Sequence, residues 1–395
     1  MARKLASVVE IATCDPIPDS DRLSVATMVG KGWKVVVGRD EFKPRDKCVY
    51  FEIDSFLDPC DERYAFLRER CLKRFVSKSG SLLAQGLRIK SMRLRGVVSQ
   101  GLIMPLDKFP EIKDRIVHKI VGETRTEMFV NPQHRDGELL EQDLIGADVS
   151  SILKVDHYDD VKERLQPMSG NPISADAMGM FPSEHIYKTN EERLQNLGDW
   201  FETMKGRKWQ VSCKHDGTSC TIAYSKQIDE QNPEVVCSRN LRLKPVSVDG
   251  KVSVYWQMAN QYDVLSKLKS LAEDNGIEYA VQGEIVGPGI NKCRNKEQKY
   301  KFLVFRIYDI TNQRWVNPTE TVKMCESLGL EHVQIIKDNF AFFDEILTMD
   351  EALKFAEGKT AEGNEREGVV LKTVDDLPYA SCKIVSNRYL LKGND

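Results

Sequence analysis

Lys214-His215-Asp216-Gly217 stands between the apolar run Trp209–Val211 and the alternating segment Thr218–Tyr224. The order predicts a strand, a turn and a strand, with one lysine at the turn, an acid two residues on and a glycine to free the backbone. A lysine amine held deprotonated is a nucleophile, and a neighbouring Asp and glycine turn suit attack on a nucleotide phosphate. A KxDG string also arises by chance in roughly one chain in ten of this length. Its weight rests on the residues downstream.

Five segments there carry candidate chemistry. Val236-Cys237-Ser238-Arg239-Asn240 ends a strand with an arginine, whose planar fork suits a phosphate oxyanion. Ala280–Val286 sets one carboxylate, Glu284, in an otherwise apolar strand. Lys301–Ile310 carries the rings of Phe305 and Tyr308. Glu365-Arg366-Glu367-Gly368-Val369-Val370-Leu371-Lys372 and Ser381-Cys382-Lys383-Ile384 add further carboxylates and two lysines. Each has an ordinary structural alternative. A strand Glu usually faces solvent, paired rings usually fill cores, and edge-strand lysines discourage strand addition.

These residues need elements to hold them. Short β-rich runs at Val8–Ile11, Leu23–Val29, Trp33–Val37, Lys47–Ile53 and Leu87–Leu94 predict an all-β unit over residues 1–110. A small Greek-key barrel of the OB type fits, with an SH3-like barrel as the alternative. Residues 111–184 read as a connecting region, with Pro110 at its edge and Pro132, Pro167, Gly170 and Pro172 inside it, and a helix at Asp159–Leu165. The second half, 185–395, reads as α+β, with antiparallel sheets flanked by helices. Strands are expected at 209–213, 218–224, 234–238, 278–286, 301–310, 368–373 and 380–385, and helices at 257–273, 318–328 and 349–357. Thr189 and Glu192 fit the reciprocal capping pattern of a helix starting there.

With 395 residues, 41% hydrophobic and 30% charged, the chain reads as two or three globular domains. No apolar run approaches the roughly 20 residues that cross a bilayer. Ten scattered cysteines without a CxxC pair predict free thiols in a reducing intracellular compartment, cytoplasm or nucleus. The net charge of −3 hides an asymmetry, because Arg70–Arg95 holds eight Lys or Arg and no acid. Such a face suits a polyanion, and Arg88, Lys90, Arg93 and Arg95 are the residues expected to track a nucleic-acid backbone.

The order KxDG, SRN, GE, FxxYDI, EGVVLK and a final strand lysine resembles the covalent nucleotidyltransferases: DNA ligases, RNA ligases and mRNA capping enzymes. The resemblance spans about residues 185–392. DNA ligases and capping enzymes carry an OB domain after the last motif, whereas only Ile384–Asp395 follow Lys383 here. An OB-like module first and the catalytic domain last resembles the Naegleria-type branch of ATP-dependent RNA ligases. Lys90–Pro105 and Ile384–Lys392 look like that branch as well.

The resemblance implies an ATP-dependent RNA ligase that joins 3′-OH and 5′-phosphate ends, expected at nicks in duplexes and as a monomer, with Mg²⁺ or Mn²⁺. It implies Lys214 as the amine attacking the α-phosphorus, forming lysyl-AMP, with its pKa expected to be depressed. Asp216 is then expected to orient the adenylate through ribose or metal waters. Arg239 and Glu284 are expected on the nucleotide sugar, and Phe305 against adenine, with Tyr308 in reserve. Glu367 is the expected metal partner together with Asp216, and Lys383 the α-phosphate clamp, helped by Lys372. Two positions depart from the pattern: Ser381 stands where a lysine is usual, and Cys213 where some relatives have an acid. A protein adenylyltransferase or nucleotide-binding regulator is the alternative from another class; it predicts no strand joining.

Overall fold

The computed structural model describes residues 4–121, 124–131, 140–165, 176–247, 250–290 and 297–392. Pro132, Pro167, Gly170, Pro172 and Cys293 lie outside them. Two compact units emerge: one of residues 1–170 with 195–198, the other of 171–194 with 199–393.

In the first unit, Leu102–Pro105, Lys47–Phe51, Ala6–Pro16, Leu23–Met28 and Lys31–Gly38 form a five-stranded sheet in that order. A second sheet runs Asp156–His157, Ser55–Leu57, Leu82–Arg88 and Leu72–Val76. Alternation builds the interior. Val8, Val49, Phe51, Leu57, Leu87 and Met104 turn inward into one apolar cluster. The strand expected at Leu87–Leu94 is two strands, ending at Arg88 and resuming at Ser91. Ser91–Leu94 then pairs with Val97–Gln100 across the tight turn Arg95-Gly96, where both residues have positive φ (49° and 82°).

The region expected to connect the domains is largely folded into this unit. Ile116–Val121, Thr124–Asn131 and Leu140–Asp143 form a three-stranded sheet. Phe129, Leu144, Ala147, Val149 and Val155 join the same core as the first strands. Polar residues and prolines masked that apolar face. The helix expected at Asp159–Leu165 is present as Tyr158–Leu165.

In the second unit, two sheets carry the expected motifs. One, the larger, places Glu234–Cys237, Thr218–Tyr224, Tyr279–Val286 and Lys301–Asp309 side by side. The other runs Glu192–Arg193, Ser381–Val385, Gly368–Thr373, Trp209–Lys214 and Ile335–Phe340. All seven expected strands form. The long helix expected at 257–273 is two, Val254–Gln261 and Val264–Asn275, split at Asp263 in the left-handed region (φ 51°).

No helix starts at Thr189. Glu192–Arg193 instead pairs in parallel with Cys382–Lys383, and Glu191 is drawn inward to Arg306 at 3.0 Å. Tertiary pairing overrides the capping signal there. Among the described residues, no helix is long and apolar enough to cross a membrane.

Candidate active site

The tetrapeptide at Lys214 does not close a hairpin. Trp209–Lys214 belongs to one sheet and Thr218–Tyr224 to the other, so the turn crosses between them. Register defines the face it opens on. Gln210 lies opposite Lys372, Ser212 opposite Val370 and Lys214 opposite Gly368, while Ser381 and Lys383 lie opposite Lys372 and Val370. Directly paired residues share a face, so this surface is polar. The alternate residues Val211, Cys213, Val369, Leu371, Cys382 and Ile384 are all buried on the reverse side.

Glycine at 217 is required by proximity. A Cβ there would lie 2.7 Å from Glu284 Cγ and would collide with the Ile285 carbonyl. That close approach lets the Gly217 N–H donate to Glu284 Oε1 at 3.1 Å. Glu284 is thereby tied to the turn after Lys214 from the opposite sheet.

Lys214 Nζ donates to Glu367 Oε2 at 2.5 Å. Burial pushes this amine down, but the Glu367 charge and hydrogen bond, with Glu284 and Asp216, outweigh it and raise the pKa above its ordinary value. The depressed pKa expected from the chemistry is therefore absent in the ligand-free protein. The reason is the carboxylate at hydrogen-bond distance. Burial drives Glu284 the other way from a normal carboxylate, up to about 8; the Lys214 charge opposes this, and Glu367 adds to it. Side by side, one carboxylate ion-pairs with the lysine and the other holds a proton near neutral pH.

The remaining expected residues divide. Arg239 is exposed and donates to the Thr189 carbonyl at 2.9 Å, while Lys188 reaches Asn240 Oδ1 at 2.9 Å. Phe305 sits at a bulge, since Gln282 pairs with Arg306 and Gly283 with Val304, leaving 305 with no partner on that strand. Bulges re-aim side chains, and the Phe305 ring stays half-buried beside Val286, Leu303 and Val333. Tyr308 is corrected. Only 6% exposed, it packs edge-on against Trp315 at 4.9 Å, in a core with Phe181, Ala223 and Val235. It has no face to offer a base.

Lys372 is also corrected as a phosphate clamp. It is 3% exposed, and its amine donates to the Phe305 carbonyl. Burial and the neighbouring Arg306 pull its pKa down to about 7, against the attraction of Glu191. Lys383, like Lys214, is a half-buried lysine of this face, opposite Val370. Ser381, directly across from Lys372, adds no charge at that level.

The Lys372 assignment gives a stability prediction. A folded pKa near 7, below the ordinary 10.5, means the fold holds fewer protons than the unfolded chain between those values. The amine thus costs most stability at and below pH 7 and none above 10.5, with an upper bound of about 5 kcal/mol. Lys372→Met is expected to melt highest relative to wild type near pH 6, with the difference declining toward pH 10. A difference that stays flat across that range contradicts the assignment.

Sequence reasoning missed Glu191, Arg306 and Tyr389. Arg306 is 5% exposed, ion-paired to Glu191, with its guanidinium 4.4 Å from the Trp315 ring centroid. Its signal was available: an arginine inside an apolar strand demands a buried partner. Tyr389 donates its hydroxyl to Asp216 Oδ2; nothing in its helix marked it.

On the first unit, Arg88 is corrected as a nucleic-acid contact. It donates twice to Asp54 Oδ1, at 2.7 and 3.0 Å, and its guanidinium lies 4.1 Å from the Tyr158 ring centroid. Arg93 and Arg95 are exposed on the hairpin, with Lys90 half-buried at its base. If Arg93 and Arg95 meet backbone phosphates, replacing both with Ala lowers the slope of log affinity for RNA against log salt by about 1.5 to 2. Filter binding at several salt concentrations measures this; an unchanged slope removes both residues from the interface.

Among the described residues, no group of three or more His, Cys, Asp or Glu is arranged to hold a metal. Mg²⁺ needs only one or two carboxylates beside its waters and substrate oxygens, so Glu367 with Asp216 is a chemically adequate donor set.

Comparison with known proteins finds two families along the chain. An OB-fold domain family matches residues 5–106, and the RNA ligase family matches 207–392. No curated protein matches by sequence. Solved structures of Naegleria gruberi RNA ligase are similar over the whole chain. A glutamate-to-alanine mutant with ATP and Mn is 29% identical, with 100% of both chains covered and a TM-score of 0.74. The same ligase with PPi is 29% identical, with 100% of both covered and a TM-score of 0.73. A second glutamate-to-alanine mutant, with AMP and Mn, is 28% identical, with 98% of both covered and a TM-score of 0.73.

Proposed function

Because this chain belongs to the RNA ligase family, with an OB-fold domain ahead of the ligase domain, we propose that it seals 3′-OH and 5′-phosphate RNA ends at nicks through lysyl-AMP. It is an ATP-dependent RNA ligase that acts on RNA. The observation that carries the proposed mechanism is the Lys214 amine on Glu367 at 2.5 Å, beside Glu284 and at the mouth of a polar sheet face.

In the proposed first step Lys214 Nζ forms a bond to the α-phosphorus of ATP as the bond to the bridging oxygen breaks and pyrophosphate leaves. The 5′-phosphate of the strand then displaces Lys214 and takes the AMP. The 3′-hydroxyl attacks that 5′-phosphorus, AMP departs and the phosphodiester is complete. Such transfers depend on positioning and charge neutralisation.

Glu367 with Asp216 would hold Mg²⁺ or Mn²⁺, which when bound supplies positive charge at the transferring phosphoryl group. Lys214 must give up its proton before attack, and Glu367 is the largest influence raising its pKa in the free protein. Lys383 lies on the same face, opposite Val370, and in this reading it meets the α-phosphate oxygens. Glu284, protonated near neutral pH, can donate as well as accept at the sugar. Phe305 offers the half-buried ring for adenine, and Arg239 would bind the sugar together with Glu284. Burial strengthens the contacts of the half-buried Lys214, Glu284 and Glu367.

The domains are proposed as an OB module for substrate grip and a ligase domain for chemistry, working as a monomer. A reducing compartment fits nine described cysteines, all free. Substrate choice is tested by sealing rates on duplexes nicked with an RNA or a DNA 3′-hydroxyl end, alongside unpaired strands. Fast sealing only of the RNA-ended nick is expected; equal rates on unpaired strands would overturn the nick assignment.

A further inference from the structure

One helical turn grips both acid-bearing segments of the site. Strand Ser381–Val385 passes into helix Asn387–Lys392 through Ser386, which is fully buried. The Ser386 N–H donates to the Glu367 carbonyl at 2.8 Å. Its hydroxyl accepts from the Tyr389 N–H at 3.2 Å, and its carbonyl from the Leu390 N–H at 3.1 Å. Arg388 Nε meets Glu365 Oε1 at 2.6 Å. The start of the helix is therefore pinned to the segment that carries Glu367, immediately before strand Gly368–Thr373.

From that turn Tyr389 reaches across to the nucleophile loop. The residue is 7% exposed, so its ring has no freedom to swing, and its hydroxyl donates to Asp216 Oδ2. A carboxylate next to a lysine and two other acids has several orientations open to it. One donated hydrogen bond from a fixed ring selects the carboxylate plane, at little entropic cost because the ring is already packed.

We propose that Tyr389 is a positioning residue that sets the Asp216 carboxylate for the attack by Lys214, coupling the last helix to the nucleophile loop. This rests on the reading of Lys214 and Asp216 given above. Tyr389 touches neither nucleotide nor reacting atoms in this scheme; it acts through Asp216. Replacing it with Phe removes one hydroxyl and keeps the ring, so the fold is retained.

The test is single-turnover transfer of label from α-labelled ATP to the full-length protein, across a Mg²⁺ titration. Tyr389→Phe is expected to slow label transfer about tenfold, leave the melting temperature within a few degrees of wild type and raise the Mg²⁺ midpoint. In an Asp216→Asn background, followed for hours so that a slow reaction is still read, the same change is expected to cost less than twofold. A wild-type rate and midpoint in Tyr389→Phe overturn the proposal. So does a full tenfold loss in the Asp216→Asn background, which would make Tyr389 a packing residue. If wild type takes no label on Lys214, it is the reading of the site that fails instead.

Discussion

Lys214→Met is expected to take no label from α-labelled ATP, a loss of at least about 10³-fold, because no other group replaces a covalent nucleophile. The same variant is expected to seal a nick whose 5′ end already carries AMP within about tenfold of wild type. The lysine's bond-making work is complete once AMP has moved to the strand, and the remaining step depends on positioning. The substitution also leaves Glu367, whose side chain is 18% exposed, without its ion-pair partner. An unpaired half-buried carboxylate costs about 1–3 kcal/mol, so a modest fall in melting temperature should accompany the loss. Unfolding would instead abolish both reactions, and the pre-adenylylated nick separates the two cases.

Glu367→Gln is expected to produce a pairing of effects that a simple loss of contact would not. The Glu367 charge and hydrogen bond are the largest influences raising the Lys214 pKa, and burial is the influence opposing them. Without that charge the amine should titrate lower than in wild type, so more of it is neutral at any pH. Yet label transfer should fall by about 10²-fold or more, because the carboxylate that would hold the divalent ion is gone. Competitive acetylation of Lys214 against pH in the ligand-free protein reads the first effect, and label transfer the second. A variant with a lowered lysine pKa and a faster reaction would show Glu367 to be only a brake on the nucleophile.

Much of this arrangement was legible in the residues themselves. Apolar, β-rich runs placed the seven expected strands of the second unit, and motif order located Lys214, Glu284 and Glu367 around one site. The features that stayed hidden were set by tertiary partners. Phe305 and Tyr308 lie three residues apart on one strand, but a bulge at 305 and the Trp315 ring beside 308 give them opposite fates. The helix expected at Thr189 yields to a strand pairing that no local pattern records. Arg88 and Lys372 read as available cations until Asp54 and the Phe305 carbonyl are seen to hold them. Lone cations in a sequence carry no sign of their partners.

Peptide mapping of the protein after incubation with ATP and Mg²⁺, without RNA, tests the central claim most directly. AMP on Lys214 alone, lost again when pyrophosphate or a 5′-phosphorylated nick is added, is the predicted result. AMP on another residue, or strand sealing with no adenylylated protein at all, would contradict it.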